Sequence, residues 1–145
     1  YPGERGARYY RAIAYIWGLQ DKAPIQKGFI WSAKFGRTVS ASSPAVADGY
    51  GYVVTSDGKL RSIDLETGET IWTYNSYSRT WGSSPVIGGG IVYMGTDNGF
   101  IHAVDRTTGE EVNRFFAGGG VVGQLIIADN SMFVASTDGT LYAFR

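Results

Sequence analysis

The sequence contains no cysteine. That excludes disulfides, thiolate metal sites and cysteine nucleophiles, and it is compatible with an oxidising compartment. There is no excess of either charge: 13 basic residues face 13 acidic ones, so electrostatics give no reason to expect nucleic acid or a membrane surface as partner. No apolar run approaches twenty residues, which excludes a transmembrane helix of ordinary length. Histidine occurs once, at His102, and no pair of carboxylates is spaced for joint acid–base work, so neither a transition-metal site nor a catalytic set is expected. No secretory signal is visible, and the first residue is Tyr1 rather than Met, so the expectation is that an upstream segment has been removed.

What the chain does have is glycine and a repeat. Its 145 residues suit one domain by length, and its 21 glycines are scattered among β-rich segments, where they read as turn residues. A shift of 41 positions superimposes Trp31 on Trp72, Pro44 on Pro85, Tyr52 on Tyr93, Gly58 on Gly99, Asp64 on Asp105 and Gly68 on Gly109. A third, weaker copy runs from Gly123 to Arg145. It keeps the Asp138-Gly139 turn and loses the Ser-Pro, and Asn113 stands where the other copies have tryptophan. A period of this size belongs to a propeller blade or a helical array.

The pattern inside the period favours the blade. The first unit holds four short runs rich in Val, Ile, Tyr and Thr, at about Ser42–Ala47, Gly51–Thr55, Lys59–Asp64 and Thr70–Tyr74. Runs of this length with β-branched and aromatic residues are strands. "SDG", "DNG" and "TDG" supply tight-turn chemistry between the second and third strands. "DLETG" and "DRTTG" open on an Asp that can accept from forward amides and close on a Gly suited to the left-handed region. Pro44 and Pro85 stand at strand starts, where a missing donor is tolerated. The expected fold is therefore all-β, a β-propeller of four-stranded antiparallel blades.

Ser-Ser-Pro, a pair of apolar strands, Asp-Gly, then Asp-x-x-Thr-Gly and Trp resembles the quinoprotein-type (PQQ-like) propeller repeat. The likeness covers about Gly28 to Arg145. In character it is most similar to the non-enzymatic, BamB-like members. The resemblance implies a role for Trp31 and Trp72 in docking one blade on the next. It implies an extracytoplasmic location, whether periplasmic, cell-surface or extracellular. Quinoprotein enzymes hold their quinone and calcium with axial acidic and amide groups, and many carry a vicinal cysteine pair. None of these can be matched here, so no cofactor, metal or catalytic residue is carried over.

Residues 1–26 lie outside the repeat and form an N-terminal extension; 27–145 form the propeller, with an offset strand at 28–35 and units at about 36–74, 75–116 and 117–145. Gly28–Phe35 aligns with a fourth strand, eleven further strands follow, and three blades' worth of chain does not close a ring. The expected partner is thus protein: the rest of a larger propeller or copies of this chain, by ring or filament. Tyr9, Tyr10, Ile13, Ile16, Trp17, Phe29 and Ile30 are the candidate assembly residues, the extension either packing on its own propeller or docking into another subunit. Gly28–Phe35 is expected to pair with Leu141–Arg145 of another chain.

The acids of the repeats fall in or beside turns, and Glu4 and Asp21 lie in the N-terminal extension. Asp57, Asp97 and Asp138 sit between second and third strands, and Asp64, Glu66, Glu69, Asp105, Glu110 and Glu111 in or beside the third hairpin. His102 reads as a surface or blade-packing residue. One loop, "NSYSRTWG" (Asn75–Gly82), breaks the repeat: Trp81 has Ser40 and Val122 as equivalents. Tyr77, Arg79 and Trp81 are of the types enriched at binding hot spots and are the candidate interaction residues, expected beside Asp57, Asp97 and Asp138. Trp81 either presents a binding surface or plugs the blade junction. The functional expectation is a non-catalytic scaffold for protein–protein contact or assembly. The alternatives are a structural subunit of a filament or coat joined by strand exchange, and a fragment of a PQQ-dependent dehydrogenase.

Overall fold

The computed structural model describes residues 28–38, 42–121 and 124–145. The chain divides into two compact units, Tyr1–Trp31 and Ser32–Arg145. Of the first, only residues 28–31 are described, and Tyr9, Tyr10, Ile13, Ile16 and Trp17 lie outside the described residues.

The second unit is all-β. Among the described residues, eleven strands form three antiparallel sheets: β1 (Ala45–Ala47), β2 (Tyr50–Val54), β3 (Lys59–Asp64), β4 (Thr70–Asn75); β5 (Val86–Gly88), β6 (Ile91–Gly95), β7 (Phe100–Asp105), β8 (Glu111–Phe116); and β9 (Ile126–Ala128), β10 (Ser131–Ala135), β11 (Leu141–Phe144). Strand order follows chain order in every sheet, so each sheet is a blade-like meander. The third and fourth strands slip by one residue at the same place in both full blades, between Ser62 and Ile63 and between Ala103 and Val104. The repeat thus extends to the bulge.

The local chemistry explains the boundaries. The first strand is shorter than its sequence suggests, beginning only after Pro44 and again after Pro85. Proline has no amide to give the ladder, so pairing starts beyond it. Asp64 Oδ1 accepts from the Glu66 and Thr67 amides at 2.8 and 3.1 Å, and Asp105 does the same with Thr107 and Thr108 at 2.8 and 3.0 Å. In the tight turns Gly58 and Gly99 donate to the Thr55 and Thr96 carbonyls at 2.9 and 3.1 Å. Gly58 is required there: its φ is +80°, and an added Cβ would sit 1.7 Å from the Ser78 carbonyl oxygen.

The cores lie between neighbouring blades. Tyr52, Val54 and Leu60 of the first meet Val92, Met94 and Val104 of the second. Ile101 of the second meets Leu125, Met132 and Val134 of the third, with Ala117 and Val121. Alternate residues of a strand point to opposite faces, so each blade between two others must be apolar on both. His102 is only 1% exposed. It therefore belongs to blade packing, and the surface reading of it is corrected.

Gly28–Phe35 forms no strand in the chain. The period-2 pattern is there, with Trp31, Ala33 and Phe35 half-buried and Ser32 and Lys34 exposed. Alternation sets which side chains face inward; a strand also needs a neighbouring backbone to complete its ladder. Phe35 lies under the Arg61 guanidinium at 4.8 Å.

Candidate interaction site

The loop that breaks the repeat is strapped to the turns on either side of it. Ser76 donates from its amide and its hydroxyl to the Gly58 carbonyl, at 3.1 and 2.7 Å. Asn75 Oδ1 accepts from the Tyr77 amide at 2.9 Å, which holds Tyr77 at φ +58°. Thr80 is buried and its hydroxyl donates to the Gly95 carbonyl at 2.9 Å. The second blade completes the hold: the Asp97 amide donates to the Arg79 carbonyl at 2.9 Å, and Asp97 Oδ1 accepts from the Trp81 amide at 3.1 Å.

With the backbone fixed, the side chains point outward. Trp81 is 69% exposed and Tyr77 90%. Trp81 therefore does not plug the junction, and that reading is set aside. A cleft of about 440 Å³ opens beside it, lined in part by Arg37, Asp57, Arg79, Trp81 and Asp97. Two guanidinium groups and two carboxylates around an indole offer both charge signs and an apolar face to a partner surface. Tyr77 stands outside this lining, and so does Asp138. Asp138 is engaged on the third blade, accepting from the Thr140 amide at 2.9 Å and the Tyr142 hydroxyl at 2.6 Å. Those bonds hold its carboxyl below the ordinary range.

Trp72 is half-buried and reaches the next blade. Its Nε1–H donates to the Arg106 carbonyl at 3.0 Å, and its ring covers Gly109. Trp31 is half-buried, and Phe29 and Ile30 are exposed. A polar cluster went unmarked in the sequence: Tyr74 on β4 donates to Glu111 on β8, and the buried His102 touches both. Arg114 holds Glu111 with two bonds of 2.9 Å and pulls its carboxyl down to about 2. Burial and the Glu111 carboxylate push the Tyr74 phenol up. A tyrosine on one blade and an acid on the next, 37 positions on, was the only available signal.

The family model described as outer membrane protein assembly factor BamB matches residues 26–80 and 75–145. The chain belongs to this BamB family. Among solved structures it resembles BamB from Moraxella catarrhalis, with TM-score 0.69 and 24% identity over 79% of this chain. It spans 36% of that structure. It also resembles a quinohemoprotein alcohol dehydrogenase from Comamonas testosteroni, with TM-score 0.58 and 25% identity, over 66% of this chain and 17% of that one. A third likeness, to the quinohemoprotein alcohol dehydrogenase ADHIIG from Pseudomonas putida HK5, has TM-score 0.60 and 19% identity, over 64% of this chain and 16% of the enzyme. No curated protein matches the sequence.

Among the described residues, the inner strands offer no side chain that could hold a quinone or its cation. The innermost strands read Ala-Val-Ala, Val-Ile-Gly and Ile-Ile-Ala, without a polar side chain among them. Among the described residues, no group of three or more His, Asp or Glu side chains could hold a metal ion. No described helix is long and apolar enough to cross a membrane.

Proposed function

We infer that this chain is a non-catalytic propeller module making protein–protein contacts within an extracytoplasmic assembly, and that the face carrying Arg79 and Trp81 makes them. The observation that carries this is Trp81: its backbone is pinned by Asp97, yet its indole is 69% exposed. An ordered aromatic offers a large apolar area at low entropic cost, beside an arginine able to pair with a carboxylate. Membership of a family described by outer-membrane protein assembly supports a protein partner and a location outside the cytoplasm. The test is a photo-crosslinking residue at position 81, with position 73 on the outer strand as control. A single protein captured at 81 and not at 73 supports the assignment. Equal capture at both positions overturns it.

The second reading is self-assembly, in which residues 28–35 of one chain add to the outer edge of β11 in another. It is favoured by the strand-like alternation of Trp31, Ala33 and Phe35 without a strand in the chain itself. Ile30→Cys with Ala143→Cys should then link chains under mild oxidation. Material that runs only as monomer defeats it.

A further inference from the structure

The second blade junction keeps the walls that surround an indole at the first, but has asparagine in place of the tryptophan. Trp72 stands in a cross-strand row with Tyr52 and Ser62, and Asn113 stands in the matching row with Tyr93 and Ala103. At the first junction Trp72 packs on a cluster that includes Tyr52, Val92 and Val104, with Tyr74 and Ile87 alongside. Its ring lies 6.0 Å from that of Tyr52. In the same five places the second junction has Tyr93, Met132, Phe144, Phe115 and Ile127. All five line a single cavity of about 340 Å³.

Such walls suit an indole for a physical reason. Aromatic and aliphatic side chains around a cavity of this size gain dispersion contact from a flat ring that water does not supply. Phe115 and Phe144 form one side of it, ring on ring at 5.3 Å. Asn113 is exposed and stands outside the lining. The cavity continues the apolar core of the second junction, to which Tyr93, Phe115, Ile127, Met132 and Phe144 all belong. A ring entering it extends an interface that is already built.

The chain itself presents a ring of this kind. Of the tryptophans among the described residues, Trp72 is engaged at the first junction, Trp31 is half-buried, and Trp81 is 69% exposed on a fixed backbone. Each blade is a meander, so its turns alternate between two ends. Trp81 follows β4 and sits with the β6–β7 turn, at one end. The cavity opens by the β5–β6 turn, the β9–β10 turn and Arg145, at the other end. A five-residue strand spans about 17 Å, beyond the reach of an indole within one chain, whereas chains stacked head to tail bring the two together. Charge agrees: exposed Arg145 stands at the cavity rim, and exposed Asp97 holds the Trp81 amide. We propose that Trp81 of one copy inserts its indole into this cavity of a second copy, with Asp97 turned toward Arg145. The contact is heterologous, so copies add in series unless the rotation closes a ring.

The proposal rests on the reading of Trp81 as an interaction residue and names a second copy as its partner. Analytical ultracentrifugation of the full chain tests it, with Trp81→Ala, Asn113→Trp and an equimolar mixture of the two. The parent should gain mass as concentration rises. Each variant alone should dissociate about tenfold or more readily, one lacking the inserted ring and the other having its cavity filled. The mixture should recover association as an equimolar complex, because one variant keeps the cavity and the other keeps Trp81. A parent that stays monomeric up to about 1 mM, variants that associate as the parent does, or a mixture without recovery each overturn the proposal. Should Asn113→Trp fail to fold, the photo-crosslinking residue at position 81 decides. Crosslinks to residues 127–132 or 144–145 of another copy support the proposal, and crosslinks to any other part of it overturn it. Capture of a different protein at position 81 overturns the proposal and leaves the interaction reading standing, whereas equal capture at 81 and 73 defeats that reading.

Discussion

The indole of Trp72 donates to the backbone carbonyl of Arg106 at 3.0 Å across the boundary between two blades. The same ring lies against Gly109, where an added Cβ would come within 2.6 Å of it. Docking here needs a large ring on one blade and no side chain on the next. Trp72→Ala should destabilise the fold by about 2–4 kcal/mol, from lost apolar contact and one lost hydrogen bond. Trp72→Phe should cost about 1–2 kcal/mol, because part of the ring contact survives. Gly109→Ala should also destabilise, since Gly109 sits at φ +76°. Urea unfolding of the three variants checks the order.

Gly58 closes a turn onto the neighbouring loop, with the Ser78 carbonyl oxygen 1.7 Å from where a Cβ would stand. Gly58→Ala should cost on the order of 3 kcal/mol through clash and backbone strain. It should also raise hydrogen exchange in residues 76–80. A variant as stable as the parent would show that the loop is not strapped to this turn.

Trp81 contributes little to its own blade, because its side chain is largely in solvent. Trp81→Ala should leave the unfolding midpoint nearly unchanged, within about 0.5 kcal/mol. A loss of 2 kcal/mol or more would mean that Trp81 is structural after all.

Glu111 is held ionised down to about 2, first by its hydrogen bonds to Arg114 and then by Tyr74 and His102 against the opposing effect of burial. A carboxyl depressed in the folded state contributes stability present above its unfolded value, about 4.5, and lost as pH falls through about 2. The shift is equivalent to about 3 kcal/mol at face value, and solvent screening at a quarter-exposed group reduces it to about 1–2 kcal/mol. Glu111→Gln should remove that amount at neutral pH and flatten the acid limb of the stability curve. An unchanged acid limb would sink the assignment.

Repeat, strand type and turn chemistry were legible because each is written within a few neighbouring residues. The Asp64 and Asp105 turns, the tight turns closed by Gly58 and Gly99, and the late strand starts after Pro44 and Pro85 follow from local bonding and excluded volume. Membership of the BamB family rests on the same repeated pattern.

The site was only partly legible, because equivalent positions of the repeat meet different neighbours. Arg61 and His102 are equivalent. Arg61 donates to Thr55 at 2.7 Å and covers Phe35, whereas His102 is sealed between Tyr74 and Glu111. Tyr74 and Phe115 are equivalent too, yet the first makes a polar junction and the second packs its ring on Phe144 at 5.3 Å. The sequence left Trp81 open to either a plug or a binding surface; in the structure its amide bonds to Asp97 and its ring is 69% exposed. Sequence by itself determined the blades, since period-2 alternation and turn chemistry act within one strand or hairpin. Only the tertiary structure decided burial, exposure and charge pairing at the junctions, since those depend on side chains that meet from blades some forty residues apart.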